Sequence, residues 1–122
     1  MYDSTREELV GFLLARFPVL RAEYEELLSW RAEPGTYAVF RTVFTPHLVA
    51  MLESSASPQG TLPDMLAFVE ELARNQSDGV RELLVDAVLA PLVGEPRWVR
   101  SAWPLMGETT RRLMQAVAKA SI

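Results

Sequence analysis

Apolar residues recur at three- and four-residue steps along most of the chain, most regularly in residues 61–94. This spacing predicts two helices, because such positions share one helical face. The apolar positions are Leu62, Met65, Leu66, Val69, Leu72, Ala73, Val80, Leu83, Leu84, Ala87, Val88, Pro91 and Leu92. The polar stretch 75–79 supplies a helix stop and a new N-cap, Ser77 or Asp78. Since neither helix can bury its apolar face alone, we expect a central antiparallel hairpin.

The region before the hairpin contains two further predicted helices. Ser4 and Glu7 have the spacing of a capping box, and the helix that follows is predicted to end near Phe17 and Pro18. A second helix, about residues 19–32, has its apolar residues on one side. The other side is a solvent-facing arc of Glu23, Glu26, Trp30 and Glu33.

Two interpretations remain open for residues 37–44. Their β-branched and aromatic side chains are typical of a strand. A lone strand has nothing to pair with in this chain, so we interpret the segment as a helix or an irregular connector. Thr45 and Pro46 then have the positions of an N-cap and the first residue of a fresh helix.

A short helix from Glu95-Pro96 and a final helix at about 105–120, with Arg111 facing outward, complete the predicted elements. Together they predict an all-α fold in a single domain, residues 1–122. Successive antiparallel pairs favour a compact right-handed stack of about six to seven helices, similar to a HEAT arrangement, over a plain four-helix bundle.

Composition narrows the possible classes of protein. The chain has no cysteine, so disulfides and thiolate metal sites are excluded. It has no apolar run of about eighteen residues, and its acidic start is unlike a signal peptide, so we expect a cytoplasmic protein that does not bind membranes. The net charge is −4, with 14 acidic and 7 basic residues in 1–94 but 2 and 5 in 95–122. An acidic body repels nucleic acid and attracts basic partners.

No group of residues specifies a chemistry. His47 is the only histidine, and its neighbours do not supply a catalytic triad or a zinc site. Dinucleotide, P-loop, zincin and nucleophile-elbow motifs are absent. Trp98 and Trp103 lie near arginines and could stack on nucleic acid, but we favour a role as core anchors. We therefore expect no enzyme, no cofactor and no metal.

The carboxylates give the clearest functional hint. Asp78, Glu82 and Asp86 recur every four residues opposite the apolar face of their helix, as a second acidic arc. Acidic arcs can bind divalent cations or form a hydrolytic carboxylate pair, but these lack the histidine of di-iron bundles. The ordinary interpretation is that each acidic arc is a helical face exposed to solvent. The functional interpretation is that the arcs bind another protein. Trp30, flanked by acidic residues, is typical of a hot-spot anchor, although it could equally pack against the first helix or residues 36–44.

Three stretches carry a resemblance to a known group of proteins. They are Phe17-Pro18 followed by Leu20 and Tyr24, FVEELARNQSDGVRELLVDAVLAPLVG at 68–94, and LMGETTRRLMQ at 105–115. The chain resembles a small uncharacterised all-helical bacterial family, similar to the proposed immunity proteins encoded beside polymorphic toxins. The resemblance implies packing roles for Phe17, Tyr24, Leu84 and Leu92 and no catalytic residue. Separately, residues 78–92 resemble the second helix of a HEAT repeat.

The expected function is therefore a non-enzymatic, protein-binding one. The first choice is an immunity-type inhibitor that covers a basic toxin with its two acidic arcs. The alternatives are a helical-repeat adaptor with another protein partner and a metal-dependent hydrolase that uses the carboxylates. The hydrolase is the least favoured, because the chain has no histidine cluster.

Overall fold

The computed structural model describes residues 6–30, 35–53, 61–75 and 77–120, and within these ranges the chain forms seven helices and no strand. The helices are α1 (Arg6–Arg16), α2 (the 3-10 turn Pro18–Leu20 and the α-helix Arg21–Trp30), α3 (Thr36–Val39, the π-helical turn Phe40–Phe44 and Thr45–Glu53), α4 (Thr61–Ala73), α5 (Asp78–Leu84, the π-helical turn Val85–Leu89 and Ala90–Val93), α6 (Pro96–Ala102 and the 3-10 turn Trp103–Leu105) and α7 (Glu108–Ala120). The all-helical prediction is confirmed for these ranges, whereas Ser4, the N-cap of the predicted capping box, lies outside the described residues.

The predicted central hairpin is formed by α4 and α5, which pack against each other. Of its predicted apolar positions, all are buried except Pro91, which is half-buried. The N-cap of α5 is Ser77, whose hydroxyl accepts a hydrogen bond from the Val80 N–H at 3.4 Å. Asn75 Oδ1 accepts one from the Ser77 N–H at 2.8 Å, which fixes the turn between the two helices.

Residues 37–44 belong to the continuous helix α3, so the prediction of a new helix beginning at Thr45 is wrong. Thr45 lies inside α3 and is buried, and its hydroxyl donates a 2.7 Å hydrogen bond to the Ala87 carbonyl of α5. The β-branched and aromatic residues of 37–44 adopt a helix because Val39, Phe40, Val43 and Phe44 are buried in the core. Tertiary burial here overrides local propensity.

Each π-helical turn precedes a proline. The turn in α3 ends two residues before Pro46, and the turn in α5 ends two residues before Pro91. Proline has no N–H, so the carbonyl four residues earlier loses its α-helical donor. For Pro91 that carbonyl belongs to Ala87, the group that accepts from Thr45. The two turns contact each other, so these irregularities meet at one place in the core.

Four phenylalanines join the N-terminal half of the core. Phe17 at the α1–α2 junction, Phe40 and Phe44 of α3 and Phe68 of α4 have ring centroids 5.6 to 6.4 Å apart in five pairs. All four are buried. Clusters of this kind add about 0.5–1.5 kcal/mol per pair beyond simple burial, so α1, α3 and α4 are held as one unit.

The C-terminal helices pack onto the hairpin, because α6 and α7 each contact both α4 and α5. The prediction that Arg111 faces outward is wrong in part, because its guanidinium lies 5.4 Å from the centre of the Trp103 ring. It also donates hydrogen bonds of 3.0 and 2.8 Å to the Trp103 carbonyl. This arginine therefore closes the 3-10 turn that ends α6. None of the helices in the described ranges has the length and apolar character needed to cross a bilayer.

Candidate functional site

The first acidic arc lies on α2 and is exposed as predicted. Glu23 and Glu26 face solvent, and the Trp30 side chain is 72% exposed. Val19, which is 58% exposed, extends the same stripe, because positions 19, 23, 26 and 30 are spaced by four, three and four residues. We call these four residues the α2 surface. The interpretation of Trp30 as a residue packed on α1 or on residues 36–44 is wrong, because its side chain is largely exposed. Glu33 lies outside the described residues.

The α2 surface carries two negative charges, those of Glu23 and Glu26. Within the described ranges neither the Glu23 nor the Glu26 carboxylate forms an ion pair. Exposed carboxylates that lack a cationic neighbour project their field over a screening length of about 8 Å at physiological salt. The stripe therefore combines two apolar ends, Val19 and Trp30, with two charges between them.

The second acidic arc lies on α5, and Asp78, Glu82 and Asp86 are all exposed. Arg81 pairs with Asp78 and also donates to the Asn75 carbonyl, so one of the three carboxylates is neutralised. Among the described residues no cation contacts Glu82 or Asp86. The net charge of this arc is therefore smaller than the sequence predicts.

A groove runs between α5 and α7 beside this arc. Its acidic half is a depression of about 410 Å³ lined by Asp78, Arg81, Glu82, Val85, Asp86 and Leu113. Its apolar half, about 340 Å³, is lined by Val85, Leu113, Ala116, Val117 and Ala120. Val85 and Leu113 line both depressions, so the two depressions adjoin each other, and together we call them the α5–α7 groove.

The sequence did not reveal the apolar half of this groove. Its α7 residues occupy positions 113, 116, 117 and 120, which is the spacing of one helical face. That pattern was available, but two of the four side chains are alanines, which signal little by themselves. No α2 residue lines the groove in the described part of the chain, so the two predicted arcs do not form one site.

A family model describing a domain of unknown function, DUF7674, matches residues 10–119. The chain belongs to the DUF7674 family. The match extends from α1 to the last turn of α7, so the α2 surface and all residues of the α5–α7 groove except Ala120 lie inside the DUF7674 domain. No curated protein and no solved structure matches the chain.

A third concave feature of this DUF7674 domain is a cleft of about 560 Å³ between α1 and α4. Its lining residues are Leu9, Phe12, Ala15, Arg16, Phe68, Glu71, Leu72 and Asn75. Arg16 bridges Asp64 at 2.8 Å and Glu71 at 2.7 Å. The hydrogen bonds to Asp64 and then to Glu71 raise the pKa of Arg16 above its ordinary value. This guanidinium joins α1 to α4 and is already occupied by protein groups.

The residues singled out for chemistry have structural surroundings. Trp98 Nε1 donates to Glu53 Oε2 at 2.9 Å, and both Trp98 and Trp103 pack against the core, as predicted for anchors. His47 is half-buried on α3. Within the described ranges, no three histidine, cysteine or acidic side chains lie close enough together to hold a metal ion.

Proposed function

We propose that this protein is a non-enzymatic binding domain for a basic protein partner, and more specifically an immunity-type inhibitor of a basic toxin. The observation that carries the proposal is the α2 surface. A tryptophan that is 72% exposed next to carboxylates that form no ion pair with any described residue is an unusual arrangement, because its apolar area remains in water.

The chemistry of this surface matches the anatomy of a protein interface. Tryptophan is enriched among residues that dominate binding energy, since a large rigid ring can be buried with little loss of conformational entropy. Glu23 and Glu26 lie beside it on the same face and would form a charged rim. Rim charges accelerate encounter with a partner of opposite charge and align it, whereas the buried anchor determines how long the complex lasts.

Inhibition of a toxin is consistent with this division of roles. An inhibitor must bind before its target acts, and electrostatic steering raises association rates toward about 10⁸–10⁹ M⁻¹s⁻¹. The resemblance to immunity proteins supports the same proposal. Under it, the protein works in the cytoplasm, needs no cofactor, and binds neither nucleic acid nor membrane.

The alternative is a helical adaptor with a HEAT-like stack and a partner that is not toxic. The contacts of α5 with both α4 and α7 support this second candidate, because helical-repeat scaffolds are also built from helices that pack on their neighbours. The two functions differ in what happens to the partner. An inhibitor abolishes the activity of its partner, whereas an adaptor leaves it active.

Capture from a lysate of the native host tests the proposal. The wild-type chain and a Trp30→Ala variant serve as matched baits, and the proteins retained by the wild type alone are identified by mass spectrometry. Each is then expressed with and without the chain. We expect one basic protein that stops growth alone and is tolerated with the wild type. A captured partner that is harmless alone would favour the adaptor, and equal capture by both baits would contradict a role for the α2 surface.

A further inference from the structure

We propose that the α5–α7 groove binds a basic amphipathic helix of a partner protein. This inference goes beyond the proposed function, because the groove lies apart from the α2 surface and does not require that the partner be a toxin. It rests on the shape of the groove, on its apolar lining and on the charge of one wall.

The apolar half of the groove, most of which belongs to α7, has the dimensions of a helix-docking site. The α7 residues of this half run from Leu113 to Ala120, and the distance along the helix axis is about 10 Å at 1.5 Å per residue. Two turns of a partner helix cover the same length. Ala116 and Ala120 lie one turn apart and are exposed, and their small side chains allow a second helix to approach closely.

The acidic half of the groove determines which charge a bound segment should carry. Glu82 and Asp86 lie one helical turn apart on α5, and neither has a cationic partner within the described ranges. Lysine or arginine side chains one turn apart on a partner helix would match their spacing. An acidic segment would instead be repelled, so the groove discriminates by charge as well as by shape.

A helix is the favoured form of the occupant. The described residues contain no strand, so these parts of the chain offer no sheet edge to which an extended segment could add. A groove between two helices accepts the apolar face of a third helix in the way that helix-in-groove receptors do. The apolar face of the partner would lie on α7, and its basic side would face α5.

A designed peptide tests the groove without knowledge of the natural partner. The probe is an alanine-based helix of about sixteen residues, with leucines three and four positions apart on one face and lysines beside them. The control peptide has glutamate in place of every lysine. Amide chemical shifts of the isotopically labelled full chain are recorded during titration with each peptide. We expect shifts concentrated at Val85, Leu113 and Ala116, and binding at least about tenfold weaker for the glutamate peptide.

Matched variants test whether peptide binding depends on each half of the groove or on other parts of the surface. Ala116→Glu places a charge in the apolar half, while Ala118→Glu places the same charge on an exposed position of α7 outside the groove. Glu82→Lys with Asp86→Lys reverses the charge of these two side chains, and the combination of Glu25→Lys, Ala50→Lys and Ala67→Lys changes the net charge equally at exposed positions outside the groove and the α2 surface. We expect each groove variant to weaken the lysine peptide about tenfold or more, and each control to change it less than about threefold.

Several outcomes would overturn the inference. They are an absence of shifts in the groove at the highest peptide concentration, shifts centred on the α2 surface or the α1–α4 cleft, equal binding of both peptides, and protection of the groove by self-association of the chain. All substituted side chains are exposed in the unbound protein, so the variants should fold, and thermal unfolding checks this. The peptide experiment tests the groove alone, so its result does not depend on whether the α2 surface binds a toxin.

Discussion

Glu70 connects α4 to the first turn of α7, and only 14% of its side chain is exposed. Its Oε1 accepts hydrogen bonds from the Thr110 N–H at 2.8 Å and the Thr110 hydroxyl at 2.7 Å, and its Oε2 accepts from the Thr109 N–H at 3.3 Å. Carboxylates near a helix N-terminus are stabilised by the free N–H groups and the helix dipole. Glu70 therefore acts as a cap supplied from another helix.

This capping role predicts a specific loss of stability in acid. Burial alone raises the pKa of Glu70, but the hydrogen bonds from Thr110 and Thr109 outweigh it and lower the pKa below its ordinary value of 4.5. A lowered pKa in the folded state means that the contribution is complete above pH 4.5 and is lost as the pH falls through the folded value. Glu70→Gln should cost about 1.5–3 kcal/mol at neutral pH and flatten this part of the acid-unfolding profile. Parallel profiles for wild type and variant would contradict the assignment.

Gly107 is required by the same cap. A Cβ at this position would lie 2.3 to 2.6 Å from the Glu70 side chain, which its three hydrogen bonds hold in place. Gly107→Ala should therefore destabilise the fold by about 1–3 kcal/mol, because the carboxylate must leave its donors. The same change in a Glu70→Ala background should cost much less, since the obstacle is gone. Additive effects in chemical denaturation of the four proteins would show that the contact is unimportant.

At the scale of the helices, Thr45 and Pro91 form a connection between α3 and α5. Pro91 removes the α-helical donor of the Ala87 carbonyl, and the Thr45 hydroxyl donates to that oxygen at 2.7 Å. Thr45→Val should cost about 1–3 kcal/mol, because a buried carbonyl loses a donor. Thr42→Val, at an exposed position on the same helix, is the matched control.

The connection itself is tested by a double-mutant cycle. Pro91→Ala restores an N–H that can donate to Ala87, so Thr45→Val should cost less in that background than in the wild type. We expect a coupling of about 0.5–3 kcal/mol from urea unfolding, the range found for residues in direct contact. An equal cost in both backgrounds would mean that the proline and the hydroxyl act independently.

The central hairpin has its own test. Leu84 is completely buried in α5, opposite the exposed side that carries the acidic arc. Leu84→Ala should cost about 2–5 kcal/mol, because a cavity opens where the packing is closest. Glu82→Ala, two residues away but exposed, should change the melting temperature little. If the Leu84→Ala protein melted with the wild type, the hairpin would contribute less to the fold than its burial indicates.

Sequence reasoning succeeded where a structure depends on local spacing and failed where it depends on a distant neighbour. The hairpin, its Ser77 cap and the exposure of Glu82 and Asp86 all follow from positions within one helix. Thr45 and Pro46 predict a helix N-terminus because a threonine followed by a proline is common there. The burial of Thr45 is explained only by its hydrogen bond to the Ala87 carbonyl, 42 residues away in the sequence. The groove was missed for the same reason, since Leu113 reaches Val85 through the packing of α7 on α5.

For the molecule as a whole, charge is distributed unevenly along the chain. Residues 1–94 carry twice as many acidic as basic residues, whereas 95–122 carry an excess of basic residues. Many charges on the described surface are paired, among them Arg16 with Asp64 and Glu71, and Arg97 with Glu53 and Glu95. The carboxylates of the α2 surface and of α5 that have no ion pair among the described residues therefore contribute strongly to the field that a partner meets.

This field leads to a kinetic prediction for the proposed partner complex. If the α2 surface steers a basic partner, association should slow as salt rises to physiological strength, where the screening length is about 8 Å. Glu23→Lys and Glu26→Lys should each lower the association rate, and more than Glu25→Lys, which alters a neighbouring exposed position away from the stripe.

Trp30→Ala should act on the other rate constant. It leaves the charges in place, so association should change little, but it removes the apolar anchor from a complex that has already formed. A hot-spot residue of this kind is worth at least about 2 kcal/mol, which corresponds to dissociation roughly thirtyfold faster. Surface plasmon resonance at several salt concentrations, with the partner immobilised, measures both constants. The exposed charges contribute little to folding, so all variants should melt near the wild type. Salt-independent association, or a Trp30→Ala effect confined to the association rate, would contradict steering by carboxylates around a buried anchor.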